Sequence, residues 1–148
     1  MKKLAVMMTV WVLAVAMAAG AEGWLTDFEA AKKLAAKTGA PILVDFSGSD
    51  WCGWCIKLDT EVFSRPAFKA YAKDNLVLFL ADFPQKKKLS EAVRTQNEAL
   101  MKAYKVRGFP TVLLVDAEGK VIARTGYQRG GAEKYVKHLE DLVKQGAK

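Results

Sequence analysis

The hydrophobic positions of the 148-residue chain form two kinds of pattern, which together predict alternating helices and strands. Short continuous apolar runs are typical of strands buried on both faces, whereas apolar residues three or four positions apart indicate amphipathic helices. The strands predicted in this way are 42–46, 76–81, 112–115 and 120–125. The predicted helices are 27–38, 52–63 with a kinked continuation over 67–73, 90–104 and 132–144.

Capping and breaking residues predict where several of these elements begin and end. Thr26, with Glu29 three positions later, has the pattern of a capping box for the first helix, and Gly39 is the expected end of that helix. Asp50 is the expected N-cap of the second helix, and Ser90 is that of the third long helix. The first helix is expected to bury an apolar stripe that includes Leu34.

The order of elements is α-β-α-β-α-β-β-α, which predicts an α/β fold. A helical connection between the first two strands is expected to be a right-handed crossover, so these strands should be parallel. The last two strands are joined by a short turn over 116–119 and form a hairpin. The prediction is therefore a mixed four-stranded sheet with helices on both faces.

The first 21 residues have the features of a secretory signal peptide. Lys2 and Lys3 precede an uncharged apolar run over 4–19, and residues 19–21 have the small-x-small form of a cleavage site. We therefore expect a signal peptide over 1–21, cleavage near Ala21, and a mature domain over 22–148 in the periplasm or otherwise outside the cytoplasm. An uncleaved anchor is the alternative, although the run is short for a membrane span.

Composition and charge narrow the classes of function. Apolar residues make up 51% of the chain and charged residues 26%, which is enough for one globular core. The net charge of +7 is carried by scattered lysines, apart from a run over 86–88 that is expected to be a solvated loop. The absence of an arginine-rich or aromatic-interleaved stripe argues against a nucleic-acid partner.

Cys52 and Cys55 are the only cysteines, and their spacing indicates redox chemistry. At the first turn of a helix the two thiols lie on one side, and the amide groups and dipole of the helix start favour a thiolate at the first position. A structural disulfide across two residues would remove little unfolded-state entropy. Two cysteines and the distant His138 do not supply the three or four ligands of a metal site within one chain, although a shared site in a dimer, or copper binding, stays open.

Three motifs, in order along the chain, resemble the thioredoxin superfamily, especially its exported thioredoxin-like and disulfide-interchange members. The motifs are an Ile-Leu-Val-Asp-Phe strand at 42–46, a Trp-Cys-Gly-Trp-Cys run at 51–55, and a Tyr-Lys-Val-Arg-Gly-Phe-Pro-Thr run at 104–111. The resemblance covers nearly all of the expected mature domain. The resemblance implies a thioredoxin-like three-layer sandwich, with the sheet between two layers of helices.

The resemblance also implies roles for single residues. Cys52 matches the attacking cysteine, and Cys55 matches the resolving one. Asp45 matches a buried acid beneath the resolving sulfur, which would hold the proton that this sulfur loses. An ordinary strand-end acid paired with Lys57 is the alternative. Pro110 matches a proline that is cis in the family and faces the disulfide.

Four more residues are expected to bind the substrate next to Pro110. Trp54 should be exposed on the outer side of the helix, and Trp51 should pack beside the site. Gly53 lies between the cysteines, and the backbone of Phe109 would pair with a substrate chain as a strand does. The pair Gly53–Trp54 replaces the usual Gly-Pro of the family, and one extra residue separates the Asp-Phe pair from the Trp-Cys pair.

The sequence therefore predicts a thiol–disulfide oxidoreductase that acts on envelope or secreted proteins and needs no cofactor. Its direction, reductase or oxidase and isomerase, is left open. A membrane-bound electron donor or acceptor and a monomeric state are expected. The alternative is a redox-inert binding module, or a metal carrier, that uses the groove at Phe109 and Pro110.

Overall fold

The computed structural model of the protein describes residues 23–146. The signal peptide expected over residues 1–21 lies outside this range. Within it, no helix is both long enough and apolar enough to cross a membrane. In chain order, the described elements are β1 (Trp24–Leu25), α1 (Phe28–Thr38), β2 (Ile42–Ser47), α2 (Gly53–Leu58), a π-helical segment (Asp59–Phe63), α3 (Pro66–Asn75), β3 (Val77–Asp82), α4 (Glu91–Ala103), β4 (Thr111–Val115), β5 (Val121–Thr125) and α5 (Gly131–Gly146).

These strands form one mixed sheet in the order β1-β3-β2-β4-β5. As predicted, β2 is parallel to β3, and β4 and β5 form an antiparallel hairpin. The predicted number of four strands is wrong, because Trp24 and Leu25 pair in parallel with Leu78 and Phe79 of β3. A two-residue strand is too short to show a period of two in the sequence, and only the pairing with β3 defines it.

The central strand β2 separates two apolar layers, as a three-layer sandwich requires. All six of its residues are buried. Leu43 packs with α2, the π-helical segment, α3 and α5. Ile42, Val44 and Phe46 pack on the opposite face, with α1 and α4. Because side chains alternate along a strand, Asp45 points to the same face as Leu43 and therefore towards α2.

Two sequence predictions for α1 are wrong. Asp27, and not Thr26, is the N-cap, because its carboxylate accepts the backbone N–H of Ala30 at 3.1 Å. Leu34 is 37% exposed and lies at the margin of the buried stripe. The predicted end of the helix is correct, since Gly39 adopts the left-handed conformation with φ of 74°.

The helix that follows the cysteines is not a single α-helix through Phe63. It widens into a π-helical turn in which the N–H of Ser64 reaches the carbonyl of Asp59 at 2.8 Å, five residues back. Pro66 then starts α3 at a position where its missing N–H has no cost. Such π turns are often found near functional sites, because they turn side chains away from their α-helical directions.

Helix α4 fixes the carboxyl end of β3 through a buried amide. Ser90 caps α4 as predicted, by accepting the N–H of Val93. Asn97 is 1% exposed, and its Nδ2 donates to the backbone carbonyl of Asp82 at 3.0 Å. Its Oδ1 accepts from Nε2 of Gln96 at 3.0 Å. Asn97 therefore satisfies a buried carbonyl that no neighbouring strand reaches.

We expect Asn97→Ala to lower the free energy of unfolding by about 1–3 kcal/mol, because the carbonyl of Asp82 would be left buried without a donor. Urea denaturation followed by circular dichroism measures the loss. The control is Glu98→Ala at the next, exposed position, which should change stability by less than about 0.5 kcal/mol. Equal stabilities for Asn97→Ala and Glu98→Ala would contradict a structural role for this amide.

Candidate active site

The two cysteines form a disulfide at the start of α2, with their Cα atoms 5.2 Å apart. Cys52 is itself the N-cap, and its Sγ accepts the backbone N–H of Cys55 at 3.3 Å. The first sulfur therefore lies where a short helix presents amide groups that have no carbonyl partner within the helix. The same hydrogen bond would be strengthened by a negative charge on the sulfur.

The prediction that Asp50 caps this helix is wrong. The helix begins at Gly53, and the carboxylate of Asp50 turns to the next loop instead. It accepts the backbone N–H groups of Gln85 at 2.9 Å, Lys86 at 2.8 Å and Lys87 at 3.2 Å. The hydrogen bond from Gln85, followed by those from the two lysines, lowers the pKa of Asp50. Asp50 thus joins the turn before the cysteines to the loop after β3.

Both cysteines are buried to a similar extent in the oxidised protein. Cys52 is 7% exposed and Cys55 is 4% exposed. The disulfide directs the first sulfur towards the second one. Backbone hydrogen bonds from Trp51 and Cys52 to the carbonyl of Gly48 hold the preceding turn close to the helix start.

Asp45 is a buried acid without a hydrogen-bond partner for one of its oxygens. The residue is 7% exposed, and no group in residues 23–146 bonds its Oδ1. Burial raises the pKa of Asp45 to about 8, and repulsion from Asp59 and then Asp82 adds to this effect. The alternative pairing with Lys57 does not occur, because Lys57 lies 3.7 Å from Glu61 instead.

Asp45 and Cys55 line one cavity of about 420 Å³. The side chains of Asp59, Asp82 and Lys87 also line it. Asp45 is buried whereas Lys87 is largely exposed, so the cavity extends from the buried acid to the surface of the protein. A cavity of this size, with carboxyl groups on its wall, has room for water next to Asp45 and Cys55.

Sequence reasoning missed Asp59 and Asp82, although each had a signal. Asp59 lies four residues after Cys55, which is the spacing of neighbours on one face of a helix. Asp82 ends an apolar run that becomes the strand next to β2. Parallel strands bring their carboxyl ends to one edge of the sheet, so an acid there was a candidate for the site.

Trp51 packs beside the site as expected, although it is 41% exposed. Its indole Nε1 donates to the carbonyl of Phe83 at 2.7 Å, and its ring meets that of Phe109 edge to face at 5.9 Å. Phe83 in turn lies 5.2 Å from Phe109. Gly48 is required beneath this indole, because a side chain at that position would collide with the ring.

Trp54 is 51% exposed, as expected, on the other side of the disulfide. Its ring lies 5.1 Å from that of Tyr127 and 5.2 Å from Nζ of Lys57. Gly53 beside it is exposed, and a side chain there would meet nothing within 4 Å. No local pattern indicated Tyr127, which comes from the loop between β5 and α5.

The peptide bond between Phe109 and Pro110 is cis, as the resemblance implied. Thr111 follows it as the first residue of β4 and pairs with Phe46 of β2. The contact between the Trp51 and Phe109 rings places this peptide next to the turn that precedes the cysteines. The structure thus places Asp45 and Cys55 on one cavity and brings Phe109 into contact with Trp51, the residue before Cys52.

A family model described as Thioredoxin-like domain matches residues 28–142. "Disulfide bond reductase DsbH" of Chlamydia pneumoniae is 42% identical over 104 residues, which are 70% of this chain and 63% of that protein. "Thiol:disulfide interchange protein DsbD" of Pectobacterium atrosepticum is 32% identical over 108 residues, which are 71% of this chain and 17% of that protein. The matched region is thus less than two thirds of these curated relatives' own length.

The solved structure named "DsbH Oxidoreductase" superposes on this chain with a TM-score of 0.79 and 34% sequence identity. The superposition covers 97% of this chain and 95% of that one. The oxidised carboxyl-terminal domain of DsbD from Neisseria meningitidis has 22% identity and a TM-score of 0.53, which is a likeness of fold. The family model, the sequence relatives and the superposition agree: the chain belongs to the thioredoxin-like family.

Proposed function

We propose that the protein is a thiol–disulfide oxidoreductase that exchanges disulfides with other proteins through Cys52 and Cys55. The observation that carries the proposal is the position of this disulfide, at a helix start and on one cavity with the unpartnered carboxyl group of Asp45. The helix start favours a thiolate on the first sulfur, and the buried acid can exchange a proton with the second.

In the reductive direction, the Cys52 thiolate attacks one sulfur of a client disulfide. A mixed disulfide forms, and the other client sulfur leaves as a thiolate. The Cys55 thiol then loses its proton and attacks Cys52. This step closes the disulfide seen in the structure and releases the second client thiolate. Two electrons pass from the protein dithiol to the client, and the reverse sequence oxidises a client dithiol.

Asp45 is the proposed base in the second step. A carboxyl group with a pKa of about 8 is partly ionised near neutral pH, and it can take the proton from Cys55 and later return it. A carboxyl group with an ordinary pKa would be too weak a base for a thiol. Burial thus brings the proton affinity of Asp45 close to that of the Cys55 thiol.

The proposed client surface consists of residues on both sides of the disulfide. The exposed rings of Trp51 and Trp54 provide apolar contact area next to Gly53, where the surface is open. The backbone around Phe109 and Pro110 is the proposed edge along which an extended client segment pairs.

We propose that the clients are exported proteins and that reduction is the physiological direction. Support comes from the names of two relatives, a disulfide bond reductase and a thiol:disulfide interchange protein. A membrane-bound dithiol protein is the proposed electron donor. A signal peptide over 1–21, with cleavage near Ala21, would carry the chain to the periplasm or an equivalent compartment, where we expect a monomer.

Cys55→Ser should retain the attacking cysteine but stop the second step, so that mixed disulfides with clients accumulate. Cys52→Ser should form none, and both variants should lose insulin reduction with dithiothreitol as the electron source. Non-reducing electrophoresis of envelope proteins, followed by mass spectrometry, identifies the trapped clients. If the parent does not reduce insulin and Cys55→Ser traps nothing, the protein is better described as a redox-inert binding module.

Asp45→Asn should slow insulin reduction at pH 7 by about a hundredfold, because the proton of Cys55 loses its base. The rate of the parent should rise with pH through the titration of Asp45, and the variant should lack that rise. Steady-state rates between pH 5 and pH 9 test this. The proposed role is wrong if the two profiles have the same shape and height.

The stability of the oxidised protein should also depend on pH through Asp45. Its pKa is raised from 3.8 to about 8, so the folded state binds more protons than the unfolded state between these values. The contribution of Asp45 is therefore favourable at acid pH and is lost as the pH rises towards 8. Relative to the parent, Asp45→Asn should gain several kcal/mol of stability between pH 5 and pH 9. Urea denaturation at several pH values measures this, and a pH-independent difference would contradict it.

A further inference from the structure

A second acid, Asp82 at the end of β3, is hydrogen-bonded to the turn that precedes the cysteines. The carboxylate of Asp82 accepts the backbone N–H of Ser49 at 3.0 Å and its hydroxyl at 2.6 Å. Nζ of Lys87 lies 3.1 Å from the same carboxylate. The side chain of Asp82 is only 7% exposed, whereas that of Lys87 is 57% exposed. A buried charge is thus balanced by a cation that reaches in from the surface.

Asp82 and Asp45 lie on the same face of the sheet. In the parallel pair of β2 and β3, Asp45 is opposite Leu80 and Ser47 is opposite Asp82. Side chains two residues apart on a strand share a face, so Asp82 is a diagonal neighbour of Asp45 across the two strands. Both carboxyl groups line the cavity that also contains Cys55. Both carboxyl groups are also largely buried, so a charge on one is felt by the other.

Other ionisable groups surround Asp45 from the remaining elements. Asp59 of the π-helical segment lies on the same cavity, but its residue is exposed, and its carboxylate accepts the hydroxyl of Ser64. Tyr135 of α5 is buried, and desolvation first and the charge of Asp45 second raise the pKa of its phenol. Asp82 differs from both of these groups because the exposed ammonium group of Lys87 neutralises it.

We propose that the Asp82–Lys87 ion pair is a positioning device of the exchange reaction, which controls how readily Asp45 takes the proton of Cys55. This role rests on the proposed thiol–disulfide exchange. With the pair intact, Lys87 offsets the repulsion between Asp82 and Asp45. Without the lysine charge, the full charge of Asp82 would oppose ionisation of Asp45, so that less carboxylate would be present at neutral pH. Neither Asp82 nor Lys87 needs to touch the reacting sulfurs.

The two members of the pair should act in opposite directions. Lys87→Gln should raise the titration midpoint of the Asp45 carboxyl by about 0.5–1 pH unit, and Asp82→Asn should lower it by a similar amount. An amide oxygen at position 82 can still accept the N–H of Ser49, so the turn is kept. Lys88→Gln removes the same charge from the same exposed loop without touching Asp82, and it should leave the midpoint unchanged.

Carbon-13 NMR of the labelled Asp45 carboxyl in the oxidised protein measures these midpoints directly. The pH profile of insulin reduction should move with them, with Lys87→Gln about threefold or more slower at pH 7 than Lys88→Gln. In the double variant of Asp82→Asn and Lys87→Gln, loss of the lysine should shift the midpoint less than it does in the parent, because without the Asp82 carboxylate nothing holds the ammonium group of Lys87 near the cavity.

Equal midpoints for Lys87→Gln and Lys88→Gln would overturn this role, as would shifts of Lys87→Gln and Asp82→Asn in the same direction. If Asp82→Asn does not fold, the comparison of Lys87→Gln with Lys88→Gln alone tests the proposed role of the ion pair. If the parent reduces no insulin, the proposed function fails. The NMR midpoints still test the ion pair in that case, so the two failures are distinguishable.

Discussion

A carboxyl group held inside the sheet, beside a disulfide, is the constraint on which the rest of this structure depends. Asp45 lies in β2, between β3 and β4, and its backbone is paired on both sides. It therefore cannot turn away from the core without breaking the centre of the fold. A charge at this position without a partner would cost several kcal/mol, so the folded protein keeps the group largely neutral at neutral pH. That cost is what gives the acid a proton affinity useful to a thiol.

The surrounding elements bring the sulfurs to this acid. Cys52 caps α2, which packs on the face of the sheet to which Asp45 points. The π-helical turn begins directly after the six residues of α2. The loop after β3 closes the other side. Three of its backbone N–H groups donate hydrogen bonds to Asp50, and Asp82 accepts hydrogen bonds from Ser49. Asp50 and Asp82 thus hold the turn and the loop together, and Asp82 lies close enough to Asp45 to influence its protonation.

Local patterns were sufficient for most of the fold. The four longer strands, the helices α1, α4 and α5, the helix start at the cysteines and the glycine that ends α1 could be predicted because each depends on residues close in sequence, whereas α3 was expected only as a kinked continuation of α2. The two-residue β1 and the π-helical turn could not, since pairing with β3 defines the first and packing of Val62 and Phe63 accompanies the second. The N-cap of α1 also could not be predicted from the local sequence. Thr26 and Asp27 are both good cap residues, and only the backbone path selects one of them.

The sequence by itself determined the cysteine pair, its place at a helix start, the acid within an apolar strand and the proline before β4. These are statements about residue type and spacing, and the period of the strand already put Asp45 in the core. Only the tertiary structure decided that Oδ1 of Asp45 has no hydrogen-bond partner within residues 23–146, that Asp59 and Asp82 share its cavity, and that Lys87 reaches Asp82. The physical reason is that electrostatic energy depends on distances between groups far apart in the chain and on the water excluded between them, and neither is encoded in a local pattern.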